Sequence, residues 1–292
     1  MDREQWLAKH FGVEQARLRK VAYRLLGSST EADDAVQEAW LRLSRSDATS
    51  IDNFSGWLTT VVARVCLDML RARKSRCEVL EALSQRRSGV DAVTDLEQEE
   101  LFAESVGLAL LVVLEKLAPA ERVAFVLHDV FDVPFEEIAP IVGRTPTMAR
   151  QLASRARRRV RSQPAVPTAE LHRRRGIVVA FLEAVRAGNM DRIVALLDPN
   201  IVLRADASAA PGRTPIEVRG SPAVAKGALA FAARARGARP MLLNGVPGIL
   251  VAPGGRARLA LTIDILGERI QAIEIIADTA RLRQIDFGIL GD

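Results

Sequence analysis

Apolar residues return at helical spacing through the first part of the chain. Trp6, Leu18, Val21, Leu25 and Leu26 share one helical pattern, and Gly27-Ser28-Ser29-Thr30 then breaks it and offers an N-cap. A second helix is predicted from Glu31 to about Arg45, a polar loop from Ser46 to Ser55, and a long helix from Gly56 to about Arg76. Residues 1–77 thus read as one all-α domain. From Glu78 to about Gln98 the chain is polar and acidic with no sustained apolar period, which predicts a linker over 78–98. A second all-α unit is expected over 99–162, closed by the proline-containing break at 163–168. Beyond it the pattern changes. Helical runs at Ala169 to Ala187 and Met190 to Leu197 precede short apolar or alternating runs at Ile201 to Leu203, Ile216 to Val218, Met241 to Leu243, Ile249 to Val251, Ala257 to Ile265 and Ile270 to Ile276. Helices followed by strands argue for an α+β domain over 169–292, so the chain reads as multi-domain.

Length agrees with that division, because 292 residues exceed the ~250 at which single cores stop growing. No apolar run approaches the ~20 residues of a membrane span, and Met1 to His10 carries charge where a signal peptide would be apolar, so the protein is expected in the cytoplasm with no membrane partner. Cys66 and Cys77 have no partner at zinc spacing, and His10, His128 and His172 lie in unrelated segments. Neither a metal nor a cofactor is expected. The net charge of +5 is modest, yet it collects in two helical stretches, as a footprint on nucleic acid would.

One of these stretches lies between Pro134 and Arg161. Pro134 to Val142 predicts a short helix, Gly143 the turn, and Thr145-Pro146 the start of a second helix, with Ile138, Val142 and Ala149 packing inside the bend. The second helix presents Arg150, Gln151, Ser154, Arg155, Arg157 and Arg158. An arginine run alone is usually a solvated face. Preceded by a helix and a glycine turn it describes a helix-turn-helix, whose second helix enters the major groove, where arginine pairs with guanine and glutamine with adenine.

In the front domain, Asp33 to Leu43 places Val36, Trp40 and Leu43 on one helical face and Asp33, Asp34, Gln37 and Glu38 on another. The string resembles region 2.2 of RNA polymerase sigma factors, which binds the coiled coil of the polymerase β′ subunit. By that resemblance Asp33, Asp34, Gln37 and Glu38 are polymerase contacts. Trp57 to Arg64 and Asp68 to Lys74 resemble region 2.4, and Asp52-Asn53-Phe54-Ser55 sits where extracytoplasmic-function (ECF) sigma factors capture an unpaired base of the −10 element. Arg64, Arg71 and Lys74 would hold the flanking phosphates, outside a buried stripe of Leu58, Val62, Val65 and Met69. Pro119 to Leu127 resembles the opening helix of region 4, which meets the polymerase β flap and reads the −35 element, here through Arg150, Gln151 and Arg155. The acidic linker matches the family's habit of threading polymerase channels between the two DNA-binding domains.

The remaining residues resemble a SnoaL-like domain of the nuclear-transport-factor-2 (NTF2) superfamily, a helix-backed curved sheet around a conical pocket, on the strength of Ala169 to Ala187, Asp198 to Asp206, Asn244 to Gly248 and Asp278 to Leu282. ECF sigma factors of the SigJ-like/ECF41 type carry this extension, which implies intramolecular contact with the sigma domains and modulation of their activity. The chain departs from that pattern after Arg204-Ala205-Asp206, where Ala207-Ser208-Ala209-Ala210 replaces a glycine-rich stretch. Asp206, Asp264, Glu274 and Asp286 are the carboxylates with which relatives of the fold could do acid–base chemistry, but no histidine in the strand region pairs with them, and the chain is not read as an enzyme. Two other classes compete with a sigma factor. One is a helix-turn-helix regulator with a ligand-sensing domain, the other an NTF2-like enzyme with an accessory DNA-binding region. Asp33 to Leu43 and Trp57 to Lys74 argue against the first, which needs no polymerase-docking helix, and turnover by isolated residues 168–292 would support the second.

Overall fold

The computed structural model describes residues 3–45, 53–83, 108–160, 165–210, 212–235 and 237–289. Packing divides the chain into two units, one of residues 1–106 and 114–158, the other of residues 107–113 and 159–292.

The first unit is helical. Helices α1 (Arg3–Leu26), α2 (Ser29–Arg45) and α3 (Phe54–Leu83) pack on one another. Most of the apolar stripes expected from the spacing meet there: Leu18, Val21 and Leu25 from α1, Val36 and Leu43 from α2, and Leu58, Val62 and Val65 from α3 are buried, whereas Trp40 and Met69 are only half-buried and Ala39 and Leu67 join the core instead. Arg73 ties the bundle at one corner, donating to the Leu26 carbonyl at 3.2 Å and pairing with Glu31. Two expectations are corrected here. Phe54 and Ser55 are not loop residues but the first turn of α3, because the Asn53 side-chain oxygen accepts the Gly56 N–H at 2.9 Å and so caps the helix earlier than its apolar run begins. The same helix also continues past Arg76, through positions read as linker. Residues 84–107, which hold most of the expected linker, lie outside the described residues.

Helix α4 (Leu108–Glu115) opens the next segment, followed by α5 (Pro119–Phe125), a π-helical turn (Val126–Val130), α6 (Phe135–Val142) and α7 (Pro146–Val160). Glu121 closes the start of α5 by accepting the Ala118 N–H at 3.3 Å. Pro140 lies inside α6, where its missing N–H leaves one i→i−4 hydrogen bond unmade in a helix of only eight residues. Gly143 then adopts φ +68°, the left-handed conformation that ends a helix and that a side chain would strain. Pro146 starts α7, with Thr145 Oγ1 accepting from the Met148 N–H at 3.3 Å. Both α5 and α6 pack against α3, so the two helical segments, expected as separate domains, share one unit. Arg122 of α5 is buried within it, and burial pulls its guanidinium down to about 10, with Glu115 opposing and Arg73 reinforcing the shift.

The second unit is α+β. Helices α8 (Thr168–Arg186) and α9 (Met190–Leu196) lead into β1 (Leu197–Ala205) and β2 (Ile216–Arg219); α10 (Ser221–Ala230) and α11 (Ala232–Ala235) follow, then β3 (Ala238–Leu243), β4 (Val246–Val251), β5 (Leu259–Leu266), β6 (Arg269–Ile276), α12 (Thr279–Gln284) and β7 (Phe287–Gly288). The strands form one seven-stranded sheet in the order β2-β1-β6-β5-β4-β3-β7. Among the described residues, only the β1–β6 pair is parallel. Val178, Phe181, Leu182 and Val185 of α8 and Ile193 of α9 meet Ile201, Ile249, Ile263 and Ile273 of the sheet in the principal core. Helices α10 to α12 were not visible in the apolar pattern, since Ala-rich stretches such as Ser221 to Ala235 carry little periodicity.

Residues 108–113 add a further layer to this unit. Leu111, Val112 and Val113 are buried, and Ala109 and Val112 face Met241, Leu250 and Ala252 of the sheet region. Gly255, at φ +74°, lets Leu111 in: a Cβ there would lie 2.6 Å from the Leu111 Cβ. The end of α7 joins the same unit, where the Ile289 N–H donates to the Val160 carbonyl at 3.4 Å.

Candidate nucleic-acid interface

Helix α2 exposes the predicted docking face. Asp33, Asp34 and Gln37 are exposed and Glu38 half-buried, while Val36 and Leu43 are buried and Trp40 sits 5.1 Å from the Phe11 ring. Asp33 is paired with Arg19 at 2.5 Å and Glu38 with Arg42 at 2.9 Å. These are exposed pairs of small net value, so both carboxylates can exchange partners cheaply.

Along α3, Arg64, Arg71 and Lys74 are exposed, and Arg71 lies 3.6 Å from Asp68. Asn53 is exposed at the helix start, and Asp52 lies outside the described residues. Ser55 is turned inward: its hydroxyl donates to Glu14 at 3.0 Å and accepts from Arg17 at 2.6 Å. Arg17 also donates to Thr59 at 2.7 Å, so Ser55 and Thr59 serve to join α1 to α3. Phe54 meets Trp6 and His10, two residues that the apolar spacing alone did not mark as functional.

On α7 the buried face is Ala149, Ala153, Ala156 and Val160, small residues that let the helix sit close to its neighbours. Gln151, Ser154, Arg155 and Arg158 stand exposed on the opposite side. Arg150 and Arg157 occupy the margin of that face. Arg150 lies over the Phe135 ring, 5.1 Å from its centroid, and Arg157 pairs with Asp129 at 2.5 Å. Asp129 belongs to the π-helical turn, and neighbouring His128 packs on Phe135 at 4.0 Å. The turn thus braces the second helix of the motif from behind, a link with no signature in the apolar pattern.

Two of the four carboxylates named above, Asp206 and Glu274, are occupied structurally. Asp206 accepts from the Ala209, Ala277 and Asp278 N–H groups, each at 2.9 Å, which joins the end of β1 to the end of β6. Glu274 pairs with Arg281 at 2.6 Å, and Asp264 is exposed. Asp286 takes part through its backbone, donating to Asn244 Oδ1 at 2.8 Å.

A helix-turn-helix with a basic outer face, joined in one unit to a second helical segment that exposes Arg64, Arg71 and Lys74, has the charge layout of a DNA-binding protein. The Sigma-70 region 2 family matches residues 12–76, and the Sigma-70, region 4 family matches residues 107–160. The ECF RNA polymerase sigma factor SigJ of Mycobacterium tuberculosis is 42% identical over 213 residues, spanning 72% of this chain and 67% of SigJ. The probable ECF RNA polymerase sigma factor SigI of the same species is 36% identical over 197 residues, 67% of this chain and 68% of SigI. The crystal structure of M. tuberculosis SigJ aligns with 94% of this chain and 97% of its own, at 32% identity and a TM-score of 0.45. The chain belongs to the ECF sigma factors, and it directs core RNA polymerase to promoter DNA. It is a transcription regulator, and the two competing classes are not favoured.

Proposed function

We propose that the three parts of the chain divide the work of promoter recognition. Asp33, Asp34, Gln37 and Glu38 of α2 dock on the polymerase β′ coiled coil. Asp52 and Asn53, with Phe54 beside them, meet an unpaired base of the −10 element, and Arg64, Arg71 and Lys74 bind its phosphates. Helix α7 reads the −35 element, with region 4 held by the β flap. On α7, Gln151, Ser154 and Arg155 face base edges in the groove, while Arg158 beside them and Arg150 and Arg157 at the margin reach phosphates. The observation that carries this reading is the single exposed polar face of α7 opposite an alanine-lined buried one.

The C-terminal domain, which has the helix-backed sheet expected of a SnoaL-like fold, tunes this activity within the chain. Support comes from residues 108–113, which match region 4 by sequence and yet pack in the second unit on Met241, Leu250 and Gly255. An effect on region 4 therefore needs no separate ligand. In vitro transcription with core RNA polymerase tests both readings: the full chain supports initiation, and a chain ending at Ser162 gives a changed promoter affinity or transcript yield. Equal yield from both over a range of salt would remove the C-terminal domain from the mechanism, and no initiation by either would remove the −10 and −35 assignments.

A further inference from the structure

Three aromatic rings meet where α1 and α3 begin. Trp6 and His10, one turn apart on α1, are stacked with centroids 4.0 Å apart and planes at 29°. Phe54, the first residue of α3, stands edge-on to both, 5.6 Å from Trp6 and 6.2 Å from His10. His10 Nδ1 lies 2.7 Å from the Trp6 carbonyl, which sets the ring's orientation. The packing of α1 on its neighbours falls to other positions, since Leu7, Phe11 and Leu18 are buried. Trp6, His10 and Phe54 all remain half-buried, flanked by exposed Gln5, Lys9 and Asn53. Trp6 and His10 also precede the segment matched by region 2, so the family match gives them no role.

An ordered aromatic stack with part of its surface open, a nearby lysine and a helix carrying Arg64, Arg71 and Lys74 has the makeup of a single-strand stacking site. Every base has a π face, and a duplex buries that face in its own stack. We propose that Trp6, His10 and Phe54 form a platform on which one unpaired base of the melted promoter strand stacks, with Lys9 placed for a neighbouring phosphate. The inference rests on the assignment of the α3 start to the −10 element, and it extends the binding site to α1. The ligand is single-stranded DNA, because only a melted strand offers a free base face beside this helix.

The test uses the full chain bound to core RNA polymerase and a random-sequence single strand of about 12 nucleotides carrying 5-iodouracil, which photocrosslinks to aromatic side chains. Peptide mapping should place adducts on Trp6, His10 or Phe54, and the same oligonucleotide annealed to its complement should give none there. Trp6→Ala and His10→Ala should weaken single-strand binding by about 5- to 150-fold, the range of one lost base–aromatic stack. Trp6→Phe should restore most of the loss, and all three variants should keep wild-type affinity for core polymerase. Adducts confined to other segments, or alanine variants that bind the single strand like wild type, overturn the platform. If the complex also fails to initiate on any promoter, the parent −10 reading falls; if it initiates normally, the platform alone does.

Discussion

Replacing Gly255 by alanine should loosen region 4's first residues from the C-terminal domain without touching any DNA-facing side chain. At φ +74° an alanine pays the left-handed penalty of about 1–2 kcal/mol. Its Cβ would also stand 2.6 Å from the Leu111 Cβ, an atom fixed to the backbone of α4, so the helix must move or strain. Overpacking of this kind costs roughly 1–3 kcal/mol, which brings the expected destabilisation to about 2–5 kcal/mol. If α4 lifts away instead, Leu111 and Val112 lose burial worth about 1.5–3 kcal/mol each, so displacement and strain are comparable in cost. Urea denaturation followed by hydrogen exchange separates the outcomes: the midpoint falls, and protection at Leu111, Val112 and Val113 falls more than at Val178 or Phe181. Transcript yield should shift in the direction set by the truncation at Ser162. Gly227→Ala, in α10 with open space around its Cβ, should be neutral or stabilising by up to about 1 kcal/mol. A Gly255→Ala chain with the wild-type midpoint and undiminished protection would refute the packing argument and, with it, the structural basis for coupling through residues 108–113.

Asp206→Ala should destabilise the second unit by about 3–5 kcal/mol in urea denaturation, since it strips the charged acceptor from the Ala209, Ala277 and Asp278 N–H groups; a loss below ~1 kcal/mol would contradict a structural role. On α7, Arg155→Ala should cost about 1–3 kcal/mol and relax preference at one −35 position, whereas Arg158→Ala should weaken all sequences alike and reduce the salt slope by roughly one. Equal effects of both on matched and mismatched promoters would erase the distinction. Cys66 is buried and its thiol is pushed up by that burial, with Arg122 only partly opposing. In a Cys77→Ser background it should resist alkylation at neutral pH until the helices around it open. The folded state keeps its proton where the unfolded thiol has lost it, so Cys66 contributes stability below pH ~9 that is lost as pH rises further. Rapid native labelling would show that Cys66 is not sealed.

The helical periods of α1 to α3, the Gly143 turn, the capped start of α7 and the switch to strands after Pro167 were legible in the sequence, because each follows from local rules. A period of 3.6 needs a buried stripe, a positive φ favours glycine, and a proline starts a helix. The face of α7 was legible for the same reason: the small residues Ala149, Ala153 and Ala156 leave only one side for Gln151, Ser154, Arg155 and Arg158. Side chains that act across long separations were not. The Asn53 cap moves Phe54 and Ser55 into α3, and Ser55 then turns to Glu14 and Arg17, 41 and 38 positions away. Asp206 looked available for chemistry until the fold brought the Ala277 and Asp278 N–H groups to it, 71 and 72 residues on. The uniformly apolar run Leu108 to Leu114 says only that it will be covered on every side; which surface covers it depends on where the sheet puts Met241, Leu250 and Gly255. Local propensity is set by a few neighbours, so sequence reveals it. Partners chosen by burial and charge satisfaction among distant residues exist only once the chain has closed on itself.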